Sequence, residues 1–146
     1  MTDLAFTADQ WMEFAHAVCR RDRRKTVEWL NLHAPAGSGE DQVILGLAID
    51  IGLHNRAIRD IQHRHCDHGP GFFGFIPEPH WPTFAVRAGQ MVAAASNEDD
   101  TALQAHLAAH MVDTRENRQR TVGELCEALA MVADYHNRIT GRTPET

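Results

Sequence analysis

Cysteine is scarce in this chain of 146 residues. The three cysteines, Cys19, Cys66 and Cys126, are odd in number and widely spaced along the sequence. A small disulfide-stapled fold needs an even set of closely spaced cysteines, so that class of protein is excluded. Free thiols are typical of a reducing compartment, and we therefore expect a cytoplasmic protein.

Long hydrophobic runs are also missing. The longest, Val43–Leu53, is interrupted by Gly46, Asp50 and Gly52, whereas a membrane-spanning helix needs about 20 consecutive apolar residues. Residues 1–6 show neither the basic start nor the apolar stretch of a secretory signal. We therefore predict no membrane partner and no secretory signal.

An excess of positive charge is missing as well. The formal net charge is −6, and Lys25 is the only lysine. Nucleic-acid-binding domains usually carry a basic face, so the charge balance argues against nucleic acid as the main partner. The one basic run, Arg20–Lys25, is better explained as a solvated helix junction than as a phosphate site.

No motif of a catalytic or nucleotide site is complete. The sequence contains no Cys-x-x-Cys or His-Glu-x-x-His pattern, and it offers no ordered set of nucleophile, base and orienting group. Gly69, Gly71 and Gly74 have the spacing of a dinucleotide-binding loop, but Pro70 lies among them. No predicted strand precedes that loop either. The missing motifs favour a protein that is not an enzyme, but the sequence leaves open whether the chain catalyses a reaction.

Apolar side chains at helical spacing are what the chain does contain. Hydrophobic residues make up 43% of the sequence, which is enough for a packed core. They recur at steps of three and four along most of the chain, with Thr7 and Asp22 as helix N-caps. We predict an all-α fold, a compact bundle of six or seven helices in one domain. Gly52 could place a turn within the third helix.

The segment 68–82 interrupts this pattern. It is rich in glycine and proline, which excludes a helix through most of it. It also carries four large aromatic side chains: Phe72, Phe73, Phe75 and Trp81. Because an exposed apolar patch marks a binding surface, we predict that these four residues bind a protein partner or a second copy. The alternative is that they pack as a plug across helices of the same chain.

Two helical stretches are similar to each other without gaps. Residues 43–56 read VILGLAIDIGLHNR and residues 125–138 read LCEALAMVADYHNR, so both end in the triplet His-Asn-Arg. The similarity predicts two related three-helix halves, residues 7–67 and 83–141, that share one core and are joined by the linker 68–82. Chance similarity between leucine- and alanine-rich helices is the alternative.

The first of these stretches resembles a helix-turn-helix DNA-binding segment over residues 43–64. In that pattern a small residue faces a turn glycine, and apolar residues of the second helix complete the core. Ala48, Gly52 and Ile58 fit these positions. The resemblance implies a second helix that presents the following side chains to bases: His54, Asn55, Arg56 and Arg59. A DNA-binding regulator is therefore one alternative function, since arginine can bind guanine and asparagine can bind adenine.

A cluster of imidazole and thiol side chains follows directly. Its members are His63, His65, Cys66 and His68. His65 and His68 are three residues apart, which puts two ligands on one helical face, and zinc or another transition metal binds nitrogen and sulfur donors. A metal-binding protein is the second alternative. The competing explanation is that the partial negative charge of a helix C-terminus favours imidazole without a metal.

The missing motifs and the helical pattern lead to one main functional prediction. We expect a non-catalytic protein-interaction or assembly module that acts through helical faces and the aromatic segment. The partner is a second copy or another protein, and no cofactor is expected unless the histidine cluster holds a metal.

Overall fold

The computed structural model describes residues 5–35, 38–62 and 73–141. Within these ranges the chain forms six α-helices and no strand. The helices are α1 (Ala8–Cys19), α2 (Arg23–His33), α3 (Glu40–Gln62), α4 (Thr83–Ser96), α5 (Asp100–Met111) and α6 (Arg115–Ile139). The predicted all-α bundle is confirmed. None of the helices described is both long enough and apolar enough to cross a membrane.

Side-chain caps define where several helices begin. The Thr7 hydroxyl accepts a hydrogen bond from the backbone N–H of Gln10, and the Gln10 side chain accepts one from the backbone N–H of Thr7. Asp22, Asp99 and Thr114 each accept one backbone N–H bond at the starts of α2, α5 and α6. Such bonds satisfy donors that the first turn of a helix leaves free. The caps predicted at Thr7 and Asp22 are confirmed.

The turn between α1 and α2 has the same conformation as the turn between α4 and α5. Arg21 and Glu98 both have a φ of 56°, and an aspartate follows each of them. The backbone N–H groups of Asp22 and Asp99 donate to the carbonyl five residues earlier, over 2.9 and 2.8 Å, as in a Schellman helix end. Each half of the chain thus has two short helices, the same turn and one long helix. A common origin of the halves stays a prediction.

The two long helices, α3 and α6, run parallel in the centre of the bundle. Near their starts, Nε of Arg118 donates to the carboxylate of Glu40 over 3.0 Å. Near their ends, Nδ1 of His54 lies 2.8 Å from Nδ1 of His136. Side chains with no more than 2% exposure fill the core between them and the neighbouring helices: Phe14, Val43, Ile44, Leu47, Ile51, Met91, Leu125 and Leu129.

The turn that the sequence suggested at Gly52 is absent. α3 continues without a break from Glu40 to Gln62. Gly52 instead allows α4 to approach α3 closely, because a Cβ atom at this position would lie 3.0 Å from the backbone C and O atoms of Ala95. The glycine is therefore explained by the packing of two helices rather than by a change of chain direction.

An aromatic cluster attaches α1 and α2 to α3. The ring centroid of Trp29 lies 4.5 Å from that of Phe14 and 6.2 Å from that of Trp11. The indole N–H of Trp11 donates to Oδ2 of Asp50 over 2.9 Å. The same indole lies over Gly46, where an added Cβ would come within 2.6 Å of the ring. Packing and one hydrogen bond therefore fix the position of α1 on α3.

Candidate functional site

The described part of the aromatic segment, residues 73–82, lies along α4. Phe72 is outside the residues that the structure describes. The side chain of Asn97 holds the backbone of Phe73, because Oδ1 accepts from its N–H and Nδ2 donates to its carbonyl, both over 2.8 Å. The guanidinium of Arg59 lies 4.9 Å from the centre of the Phe73 ring. Phe73 is half-buried and anchors the segment to α3 and α4.

Phe75 is the second anchor of this segment. Its ring lies so close to Gly89 of α4 that a side chain there would collide with it. The ring centroid of Trp81 is 5.9 Å from that of Phe75. Phe75 is half-buried, whereas Trp81 is 39% exposed. Packing against helices of the same chain therefore describes Phe73 and Phe75 better than free display to a partner.

Ile76 is 91% exposed, more than the other exposed large hydrophobic side chain of this segment, Trp81. The sequence shows Ile76 as one of the large apolar residues of this segment but not that it faces outward, because an irregular segment has no periodicity to distinguish the two sides. Ile76 and Trp81 together form the exposed apolar part of residues 73–82.

Two of the side chains predicted to contact DNA bases instead form hydrogen bonds with the C-terminal end of α4. Nδ2 of Asn55 donates to the Ser96 hydroxyl over 3.0 Å. A terminal nitrogen of Arg56 donates to the carbonyl of Ala95 over 2.8 Å. The guanidinium of Arg59 is only 20% exposed beneath Phe73. With α3 unbroken at Gly52, the turn of a helix-turn-helix is absent from residues 43–62. DNA binding by these side chains stays a prediction.

His54, the remaining residue predicted to contact DNA bases, faces α6. Its Nδ1 lies 2.8 Å from Nδ1 of His136, and the two rings are nearly perpendicular at 79°. The triplets that align in sequence therefore meet through their histidines. Burial lowers the pKa of His54, the nearby His136 lowers it further, and Asp50 opposes the shift. Burial likewise raises the pKa of Asp50, against the hydrogen bond from Trp11 and the nearby His54.

Acidification is expected to destabilise the folded chain through His54. Its pKa in the folded chain is lower than the ordinary value of 6.5, so the unfolded chain takes up protons first as the pH falls. The stabilisation is fully present above pH 6.5 and is lost progressively toward the lower, folded pKa. In urea unfolding at about pH 7.5 and about pH 5.5, His54→Gln should therefore lose less stability on acidification than the wild type. The control His16→Gln changes an exposed histidine of α1 outside residues 73–82 and should behave as the wild type. Equal losses for all three proteins would contradict the prediction.

The predicted metal cluster lies outside the described residues. This holds for all of its members: His63, His65, Cys66 and His68. Metal binding there stays a prediction. Within residues 5–35, 38–62 and 73–141, no group of three or more histidine, cysteine or acidic side chains is arranged to hold a metal ion.

A charge network that sequence reasoning missed joins the start of α3 to α5 and α6. Oε2 of Glu40 accepts from Nε of Arg118 over 3.0 Å and lies 3.2 Å from Nε2 of His110. The His110 side chain is 0% exposed. Burial lowers the pKa of His110 and keeps the ring neutral at neutral pH, so that Nε2–H donates to Glu40. Its Nδ1 has no hydrogen-bond partner in the described part of the chain.

Nothing in the sequence pattern points to this network. Glu40 is 70 residues from His110 and 78 residues from Arg118. An acidic residue in the first turn of a helix is common, because it interacts favourably with the helix dipole. Long-range pairing of this kind becomes visible only once the helices are placed.

Comparison with known proteins identifies no relative. No protein-family model matches the chain, and neither a curated protein nor a solved structure shows significant similarity to it. Function is therefore inferred from the surfaces and side chains described above.

Proposed function

We propose that the chain is a non-catalytic protein-interaction module that associates with a second copy of itself through residues 73–82. The observation that carries the proposal is the 91% exposure of Ile76 on a segment that is fixed on both sides. On one side, Asn97 holds the backbone of Phe73 through two hydrogen bonds. On the other, Pro82 leads directly into α4.

Anchoring prepares this segment for binding. Ordering the backbone of a free loop costs about 1–2 kcal/mol per residue, and a segment that is already ordered avoids that loss when a partner docks. Burying a side chain such as Ile76 at an interface contributes about 2 kcal/mol. The half-buried Phe73 and Phe75 thus act as anchors, and Ile76 with Trp81 supplies the binding surface.

A second copy is the partner that suits this surface best. A two-fold dimer places the same patch against itself, so the patch must be self-complementary. Residues 73–82 contain one carboxylate, that of Glu78, and neither lysine nor arginine. Repulsion between two such segments is small, and their apolar side chains can pack against each other.

The outer faces of the long helices add further apolar surface. Ile49 and Leu53 lie one turn apart on α3 and are 46% and 54% exposed. Met131 and Tyr135 hold the aligned positions on α6 and are 58% and 39% exposed. Single exposed apolar residues are ordinary on a protein surface, whereas contiguous apolar surface marks sites of interaction. These faces support the proposal as secondary contacts.

Self-association is tested by measuring mass in solution over a hundred-fold range of protein concentration. We expect the wild type to pass from monomer to dimer, and Ile76→Ser to weaken the dimer by about tenfold or more because the apolar contact is lost. Leu32→Ser removes a similar side chain, 73% exposed on α2, and serves as the matched control, with an effect of less than about threefold.

Circular dichroism of both variants checks that the fold is kept. A wild type that stays monomeric throughout, or an Ile76→Ser variant that dimerises as tightly as the wild type, would refute the proposal. A loss of association in Leu32→Ser alone would place the interface on α2 and equally contradict the role of residues 73–82.

A further inference from the structure

A groove open to solvent separates α2 from α6. Two adjoining cavities of about 270 and 640 Å³ form it, and they share the side chains of Val27, Leu30, Gln119 and Val122. Gly123 of α6 lines the larger cavity, and a Cβ added there would find no atom within 4 Å. The groove therefore has room above Gly123 that the chain itself leaves unfilled.

The larger cavity is lined by apolar and polar side chains, with the apolar ones in the majority. Val18, Cys126 and Ala130 line it. Burial raises the pKa of the Cys126 thiol to about 12, so the thiol is neutral and behaves as a small apolar side chain. Arg21 and Glu127 form an ion pair of 3.1 Å beside this cavity, and Arg23 at the start of α2 lines it as well.

The smaller cavity carries an excess of positive charge. Glu40, Arg115 and Arg118 line it. Glu40 is paired with Arg118 over 3.0 Å, whereas Arg115 makes no ion pair or hydrogen bond with the residues that the structure describes. Two guanidinium groups and one carboxylate leave one positive charge. A guanidinium of this kind binds carboxylates well, so this end of the groove suits a single negative charge.

We propose that the groove between α2 and α6 binds a linear aliphatic carboxylate. Its carboxylate would lie at Arg115 and Arg118, and its chain would run past Gly123 toward Cys126. Eight residues separate Arg118 from Cys126 along α6, which is about 12 Å and accommodates a chain of about eight to ten carbons. Apolar burial supplies the affinity and the guanidinium group fixes the orientation. This site is separate from residues 73–82 and does not depend on self-association.

Calorimetric titration of the full chain with decanoate tests the proposal. Gly123→Phe fills the groove from a position with free space, and Arg115→Met removes the unpaired charge while keeping an apolar stem. Each change is expected to weaken decanoate binding by about tenfold or more. Arg120→Met is the matched control, since Arg120 is a half-exposed arginine of the same helix that pairs with Glu116 outside the groove. It should leave the affinity unchanged.

Decylammonium is the second probe, because it has the same chain and the opposite charge. We expect it to bind at least about tenfold more weakly than decanoate. Equal binding of the two probes, or no heat of binding with decanoate below its micellar concentration, overturns the proposal. So does a folded Gly123→Phe that binds decanoate as tightly as the wild type. If Gly123→Phe does not fold, unchanged binding by Arg115→Met overturns it instead.

Discussion

Replacing Gly52 by valine is expected to lower the free energy of unfolding by about 2–3 kcal/mol. The first side-chain atom would lie 3.0 Å from the backbone C and O atoms of Ala95 and 3.1 Å from the backbone N of Ser96. Backbone atoms inside a helix cannot move aside as a flexible side chain can, so α3 and α4 would have to separate. The separation would also strain the bonds that Asn55 and Arg56 make to the end of α4.

Urea unfolding of the variant measures this effect, and Gly123→Ala provides the control. Both glycines lie inside long helices, but an added Cβ at Gly123 meets no atom within 4 Å. Alanine is a better helix former than glycine, so Gly123→Ala should raise the free energy of unfolding by about 0.5–1 kcal/mol. An unchanged unfolding midpoint for Gly52→Val would show that α4 does not pack this closely.

Replacing Glu40 by leucine is expected to cost about 3 kcal/mol of stability. The Glu40 side chain is 13% exposed and that of Arg118 is 21% exposed, so the pair is largely shielded from water. Without the carboxylate, Arg118 keeps its bond to the carbonyl of Asp113 but loses its counter-charge. The buried His110 loses the partner of its Nε2–H as well. Leaving a buried donor unsatisfied is costly, and the apolar leucine cannot replace the acceptor.

A double-mutant cycle separates this pairing from a general effect of losing Glu40. Combining Glu40→Leu with Arg118→Met should be less destabilising than the sum of the two single changes, by about 1 kcal/mol or more. The same cycle on Glu116 and Arg120, whose side chains are 74% and 57% exposed, should give a coupling of at most about 0.5 kcal/mol. Strict additivity at Glu40 and Arg118 would mean that the two side chains do not interact.

The helices could be predicted from the sequence because their signals are local. Apolar steps of three and four, together with caps such as Thr7 and Asp22, depend only on neighbouring residues. Gly52 shows the limit of such local sequence signals. A glycine in a turn and a glycine beneath a crossing helix look the same in one sequence, and only the position of Ala95 distinguishes them. The mistaken prediction of a turn at Gly52 came from this ambiguity.

The candidate interface could be predicted in composition but not in detail. The glycine, proline and aromatic content of residues 68–82 indicated an irregular apolar segment. Which side chains face inward depends on Asn97 and Gly89, which contact Phe73 and Phe75 from α4 and its end. The exposure of Ile76 follows from those two anchors, so it could not be derived from the segment itself.

The groove between α2 and α6 shows the same limit. Arg21 and Cys126 are remote in the sequence and lie on different structural elements, yet both line one cavity. The shape of a groove depends on how far two helices stand apart, which no periodicity encodes. The sequence shows that Gly123 lowers the helix propensity of α6, but only the three-dimensional structure shows the free space above it.

The contact between His54 and His136 makes two similar positions chemically unequal. A hydrogen bond between the two Nδ1 atoms, which lie 2.8 Å apart, needs one proton between them. One ring must therefore carry hydrogen on Nδ1 and the other on Nε2. The donor and the acceptor of this hydrogen bond therefore cannot be chemically identical, even if the two halves of the chain are related. At this contact the two halves therefore differ in the position of a single hydrogen atom.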